Sequence, residues 1–350
     1  MTTEPSPRRP LSVLLVLGSI AAVFLDYWEY SREFHAEPEI WNATLQGRTA
    51  APEQYRIGVL KVADLITRHS PLAMRHALAV IDFVALLTAA FVLRSLLLRS
   101  RTWRNASLAA QWFGAAAFVL LLELSLSWLT WYQRPETLTI AALLALSLWL
   151  STFRLPIRGA IGAILTALSL ILIALALGFI RADVAVTFNF GVALACLISQ
   201  KPISEIHLIQ STLSRWPQLI ASLTAALTAG LTQLYVMHVL YPHATYGTSP
   251  VFELLLNYTD HIRILPFLLF IIPSAWAAWQ IIRRRFAATR PQTGLLLGAA
   301  IFTALWCVLG KIDEVRIFLP FAFALAPLTV EAAMARIAPV ENQSAPRNVS

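Results

Sequence analysis

The chain has 350 residues, 58% of them hydrophobic and only 13% charged, with a mean hydropathy of +0.66. That is too apolar for a soluble domain of this length and places the chain among polytopic membrane proteins. The formal charge of +8 would suit a nucleic-acid binder, but the distribution of the charges assigns the excess to membrane topology instead.

From the amino terminus, Arg8 and Arg9 precede an apolar run over Leu11 to Leu25. This is the pattern of an uncleaved signal anchor, because the small-x-small triplet Ser19-Ile20-Ala21 lies within the run rather than after it. A long polar segment from Asp26 to Arg75 follows and opens with Asp26-Tyr27-Trp28-Glu29-Tyr30. Tyr27, Tyr30 and Phe34 fall on one stripe of a short interfacial helix, with Asp26, Glu29 and Glu33 on the neighbouring face. After Pro38 comes a linker containing Gly47 and Pro52, then a second amphipathic helix. Its apolar stripe is Tyr55, Val59, Val62 and Ile66, and Arg56, Lys61, Asp64 and Arg68 take the polar side.

Further apolar runs lie near His76 to Leu98, Ser107 to Trp131, Thr137 to Phe153, Gly159 to Ile180, Val184 to Ser199, Leu219 to Tyr241, Ile264 to Ile282, Thr293 to Leu309 and Val315 to Arg336. With the first, these make about ten stretches able to cross a hydrocarbon core. Residues 1–337 therefore read as one all-α transmembrane domain, a polytopic bundle of about ten spans with two interfacial helices in its first outer loop. The polar tail from Ala338 to Ser350 is expected to be disordered.

Charge sorting orients the spans. With the amino terminus in the cytoplasm, most of the 27 basic residues fall on the cytoplasmic side, joined there only by Glu4, Glu205 and Glu341. That is the positive-inside pattern, and it puts both termini inside and the segment from Asp26 outside. Cys196 and Cys307 both lie in apolar runs and give neither a disulfide framework nor metal-ligand spacing.

Two groups of outer residues carry chemistry. Asp26 reads either as the mark of the span's end or as a general base whose affinity for a proton is raised by partial desolvation, with Glu29 one turn on as its substitute or partner. The second group is Gly310-Lys311-Ile312-Asp313-Glu314-Val315-Arg316-Ile317-Phe318-Leu319-Pro320. Its carboxylates favour the start of the last span, and Arg316, about one residue inside that span, would find a fitting partner in a phosphate.

The pieces Asp26-Tyr27-Trp28-Glu29, Gln54-Tyr55-Arg56 and Glu314-x-Arg316-x-x-x-Pro320, with the inside amino terminus and the long first outer loop, resemble the bacterial GT-C class of integral-membrane glycosyltransferases. The resemblance implies sugar transfer, with inversion, from a polyprenyl-phosphate-linked donor to a glycan, lipid or protein acceptor on the outer face of the bacterial inner membrane. It implies a loop-one carboxylate at Asp26, with Glu29 competing, and donor-phosphate binding by Arg316, Arg56 and Lys311. Tyr55, Gln54 and Glu314 would support the site. No nucleotide-cradling glycine loop is present, no nucleic-acid partner is expected, and a divalent metal ion stays open as a cofactor. The chain departs from better-known members in lacking a large soluble carboxy-terminal domain.

Other readings compete. Asp82, Glu123 and Glu331 in or near spans would suit the ion path of a transporter or flippase, or hydrogen bonds to neighbouring Ser and Thr. His238, His243 and His261 with Glu253 and Asp260 could approach a divalent metal, although their spacing matches no metal motif. Gly294-x-x-x-Gly298 reads as close helix packing. The sequons at Asn42, Asn105 and Asn257 are weak, and in a bacterium they would stay unglycosylated.

Overall fold

A computed structural model describes residues 6–36, 39–127, 134–153, 159–198, 214–245, 254–259, 261–283, 288–310, 312 and 314–337. All regular structure among them is helical. In chain order the helices are α1 (Arg8–Ala36), α2 (Ile40–Leu45), α3 (Gly58–His69), α4 (Met74–Arg99), α5 (Arg101–Asn105), α6 (Leu108–Ser127), α7 (Thr137–Thr152) and α8 (Gly159–Gly178). They continue as α9 (Ala182–Ile198), α10 (Arg215–Tyr235), α11 (Leu254–Thr259), α12 (His261–Ile282), α13 (Arg290–Leu309) and α14 (Leu319–Ile337). Single turns at Glu53–Arg56 and Val315–Ile317 complete the described elements of interest.

Seven of the described helices are long and apolar enough to cross a membrane. They are carried by α1, α4, α6, α8, α10, α13 and α14, and three shorter apolar stretches lie in α7, α9 and α12. Their outward faces are apolar: Leu17, Phe24, Ile161, Leu172, Trp216 and Leu227 all stand more than half exposed. Such faces suit hydrocarbon and not water. α14 is the opposite case, apolar on all sides and buried from Leu319 to Met334 apart from Ala322 and Ala333. It forms the axis around which α4, α6, α7 and α12 pack.

The first span differs from expectation. α1 does not stop near Leu25 but continues unbroken to Ala36, so the expected short interfacial helix carrying Tyr27 and Tyr30 is the last third of the same rod. Between Leu25 and Ala36 there is no glycine or proline, and an i,i+3 ion pair joins Glu29 to Arg32 at 2.6 Å. The helix ends just ahead of Pro38, which disfavours helical geometry before it. Its buried stripe is Leu11, Leu15, Ser19, Ala22, Asp26 and Tyr30, a spacing of three and four that places Asp26 on the core-facing side. Asp26 therefore does not mark the end of the helix.

The second amphipathic helix is present as α3, with Val59, Leu60 and Ala63 buried and Ile66 against the core. Val62 is half exposed, and Tyr55 belongs to the preceding turn instead.

Close packing explains the small residues of α9 and α13. A Cβ at Gly298 would lie 2.7 Å from the Thr187 carbonyl oxygen and 2.9 Å from the Phe188 Cα, and one at Gly191 only 2.2 Å from the Gly294 carbonyl oxygen. Gly294 and Gly298 thus serve packing within the bundle, as their spacing suggested. Gly298→Ala is expected to push the two helices apart and cost about 1–3 kcal/mol, read as a lower thermal midpoint in detergent. An unchanged midpoint would disprove the contact.

Candidate active site

The segment between α1 and α3 is fastened to two other parts of the chain by its own polar groups. Gln54, fully buried, accepts from the Thr49 amide at 3.2 Å and hydroxyl at 2.8 Å and donates to the Thr44 carbonyl at 3.0 Å. The Tyr55 hydroxyl donates to the Ala244 carbonyl, the Ala51 amide to Thr245, and the Gly58 amide to Phe179 at the α8–α9 corner. Gln54 and Tyr55, expected to support the site, hold the turn Glu53–Arg56 in place rather than line a cavity.

That turn faces the start of α7. Arg56 pairs with Glu136 at 3.3 Å, and Glu53 pairs with Arg134, also at 3.3 Å, so two ion pairs of opposite sense cross between the two segments. Beside them is a cavity of about 230 Å³ walled by Trp41, Thr44, Thr49, Leu60 and Pro135 together with the four charged residues. Glu136 is nearly buried, while Glu53 and Arg134 are the more exposed pair.

Arg316 joins this region from the far end of the sequence. It stands in the Val315–Ile317 turn ahead of α14, not within the helix as the hydropathy suggested. Its guanidinium contacts Glu314 at 2.7 Å, yet its Nε has no partner among the described residues. Burial pushes its basicity down from the ordinary arginine value; Glu314 and Glu136 oppose this, and Arg134 adds to it. Arg316 and Arg56 thus share one carboxylate neighbourhood. Lys311 lies outside the described residues.

Arg181, singled out by neither motif nor composition, is the most heavily used of the described arginines. It grips Asp183 with contacts of 2.8 to 3.3 Å, donates to the Ile317 carbonyl at 3.4 Å, and lies 5.3 and 5.1 Å from the ring centres of Phe302 and Trp306. Trp306 in turn donates to Asp183 at 2.9 Å. This knot holds the turn that carries Arg316 against α9 and α13. A buried arginine between two apolar helices needs a local partner, which Asp183 supplies two residues on.

Asp26 sits apart from the cavity. It is 2% exposed, and its Oδ2 has no partner among the described residues. Glu29, the expected substitute, is engaged by Arg32. One turn beyond Asp26, Tyr30 donates to Asp82 at 2.6 Å and stands edge-on to Trp41 at 6.3 Å, and Trp41 walls the cavity. Asp26 does not line the cavity, and no described contact joins it to Arg56 or Arg316.

No family model, curated protein or solved structure matches the chain. The functional reading rests on the site itself.

The remaining polar groups have separate employments. Asp82 bonds Tyr30, Glu331 receives Gln292 at 3.4 Å, and Glu123 fits where Gly18 has no side chain. The described partners include tyrosine for Asp82 and glutamine for Glu331. Nothing described links the three carboxylates into a path. Among the described residues no three His, Cys, Asp or Glu side chains stand close enough to hold a metal ion, and Glu253 and Asp260 lie outside those residues.

Asn257 is buried and holds the end of α13. It donates to the carbonyls of Cys307 at 3.0 Å and Gly310 at 2.6 Å and accepts from the Ile312 amide at 3.2 Å, so its amide has a structural use. Asn257→Asp cannot donate to the two carbonyls and is expected to cost about 2 kcal/mol. The check is the thermal midpoint together with faster amide exchange at Ile312; a silent variant would show that the three bonds carry no load.

Proposed function

We propose that the protein is a membrane glycosyltransferase that moves a sugar from a polyprenyl-phosphate carrier to an acceptor hydroxyl on the outer face of the bacterial inner membrane. In this reading the seven long helices and the three shorter apolar ones make ten spans, with both termini in the cytoplasm. The observation that carries it is the cross-pairing of Arg56 with Glu136 and of Arg134 with Glu53 beside a cavity, with Arg316 close enough to feel the charges of Glu136 and Arg134, at the ends of helices assigned to the outer side.

The reaction asks little of the enzyme. The acceptor oxygen attacks the anomeric carbon from the face opposite the carrier and forms the new C–O bond. The old C–O bond breaks, its electron pair leaves on the phosphate oxygen, and the hydroxyl proton passes to a carboxylate. The products are an inverted glycoside and polyprenyl phosphate. A cation at the departing phosphate and a base at the acceptor suffice.

Arg316 suits the first role, having a buried guanidinium with a donor to spare. Glu136 suits the second, because it lines the cavity and is oriented by Arg56. Arg56, already engaged there, becomes a positioning residue rather than a phosphate ligand. Buried ion pairs of this kind contribute little net stability, which favours a functional reason for keeping them.

The test is direct. Purified protein in lipid nanodiscs is incubated with a panel of polyprenyl-phosphate sugars, and released polyprenyl phosphate is measured. Release with at least one donor is expected; none across pentose, hexose and N-acetylhexosamine donors sinks the proposal.

A further inference from the structure

The cavity beside the turn Glu53–Arg56 is charged but balanced. Its four ionised residues are two arginines and two glutamates, cross-paired at 3.3 Å each. A phosphate entering it would have to compete with both carboxylates, whereas a neutral polyol can use the donors and acceptors the two pairs leave over. Each guanidinium carries five N–H donors and each carboxylate about four acceptor sites, far more than two single contacts consume. The Thr49 hydroxyl, donating to Gln54, keeps its capacity to accept. Trp41, Leu60 and Pro135 add an apolar wall suited to the C–H face of a ring. At about 230 Å³ the space is smaller than the roughly 300–1,000 Å³ of sites for drug-sized ligands, and fits a single small ring.

We infer that this cavity is the subsite for one neutral monosaccharide ring, with Trp41 as its platform and the Glu53–Arg134 and Arg56–Glu136 pairs as its hydrogen-bonding frame. It divides labour with Arg316: the ring is held at the cavity, and the phosphate outside it. The inference deepens the transferase reading and rests on it for the reaction, but the binding stands by itself.

Free monosaccharides (a hexose, a 6-deoxyhexose, a pentose and an N-acetylhexosamine), inorganic phosphate and glutamate are offered to the full chain in nanodiscs, with binding read by saturation-transfer NMR. At least one neutral monosaccharide binds, and its affinity is nearly independent of salt. Trp41→Ala weakens it by about tenfold or more while Trp41→Phe keeps it within about threefold, since a ring is retained. Glu53→Gln, at a partly exposed position that should not disturb folding, leaves Arg134 unpaired, and phosphate binding is gained at the cavity beyond whatever the parent shows.

The inference is overturned if no monosaccharide binds, if only phosphate or the zwitterionic glutamate binds, or if Trp41→Ala folds and binds sugar like the parent. Should Trp41→Ala fail to fold, the Glu53→Gln result decides: no gain of phosphate binding counts against a balanced cavity. The two readings fail separately. Sugar binding without turnover of any carrier removes the transferase and leaves the subsite. Turnover with an unchanged donor KM and unchanged sugar binding in Trp41→Ala removes the subsite and leaves the transferase.

Discussion

Arg181→Met is expected to lower stability by about 3 kcal/mol and to loosen the turn that carries Arg316. The side chain is 7% exposed and serves four partners at once: Asp183, the Ile317 carbonyl and the rings of Phe302 and Trp306. Methionine keeps much of the volume but none of the donors. Asp183 then loses its counter-charge, and the Ile317 carbonyl loses a donor. Breaking a fully buried pair costs about 3–5 kcal/mol. Asp183 is one third exposed, which argues for the lower end of that range. Loss of cation–π contact adds about 0.5–1 kcal/mol.

Arg181→Lys separates charge from geometry. An ammonium can meet Asp183 but cannot also reach Ile317 and cover two rings, so it should recover only part of the loss. Thermal midpoints of the three proteins check the order. Amide exchange across residues 314–318 checks the place: it should quicken in the methionine variant, and an unchanged rate there would mean that the turn is held by something else. If Arg316 binds the leaving phosphate, the same variant raises the donor KM more than it lowers kcat.

Arg181 also shows where sequence reading stops. Hydropathy placed the apolar stretches that became α4, α6 to α10 and α12 to α14 because each is a local property of about twenty residues. The amphipathic period likewise found α3. Local reading failed at α1: the residues after Leu25 read as a separate short helix, although Glu29, Arg32 and Glu33 are good helix formers and nothing interrupts them. It failed again at the site. Arg181 meets Ile317 across 136 positions, and Arg56 meets Glu136 across 80. No periodicity links such residues, and Trp41, Arg134 and Glu136 carried no motif. What was legible was that Arg316 would need an anionic partner; which carboxylates meet Arg56 and Arg181 is decided only by packing.

The base is the sharper question, because sequence and geometry favour different carboxylates. The resemblance put it at Asp26, whereas the cavity is lined by Glu136. Glu136→Gln keeps the shape, and an amide can still meet Arg56 through its oxygen, but it cannot take a proton at neutral pH. Turnover should fall by about 10²–10⁴-fold with the donor KM little changed. Asp26→Asn should keep turnover within about tenfold, because Asp26 does not line the cavity and no described contact joins it to Arg56 or Arg316. Both proteins should fold, since each substitution exchanges a carboxylate for an amide of equal size. The opposite pattern, with Asp26→Asn inactive and Glu136→Gln active, would return the base to α1. It would also mean that the acceptor enters between α1 and α4 rather than beside the turn Glu53–Arg56. If neither variant loses activity, proton transfer to a carboxylate is not part of the slow step, and the leaving phosphate at Arg316 carries the barrier. Arg316→Gln then becomes the variant with the largest loss.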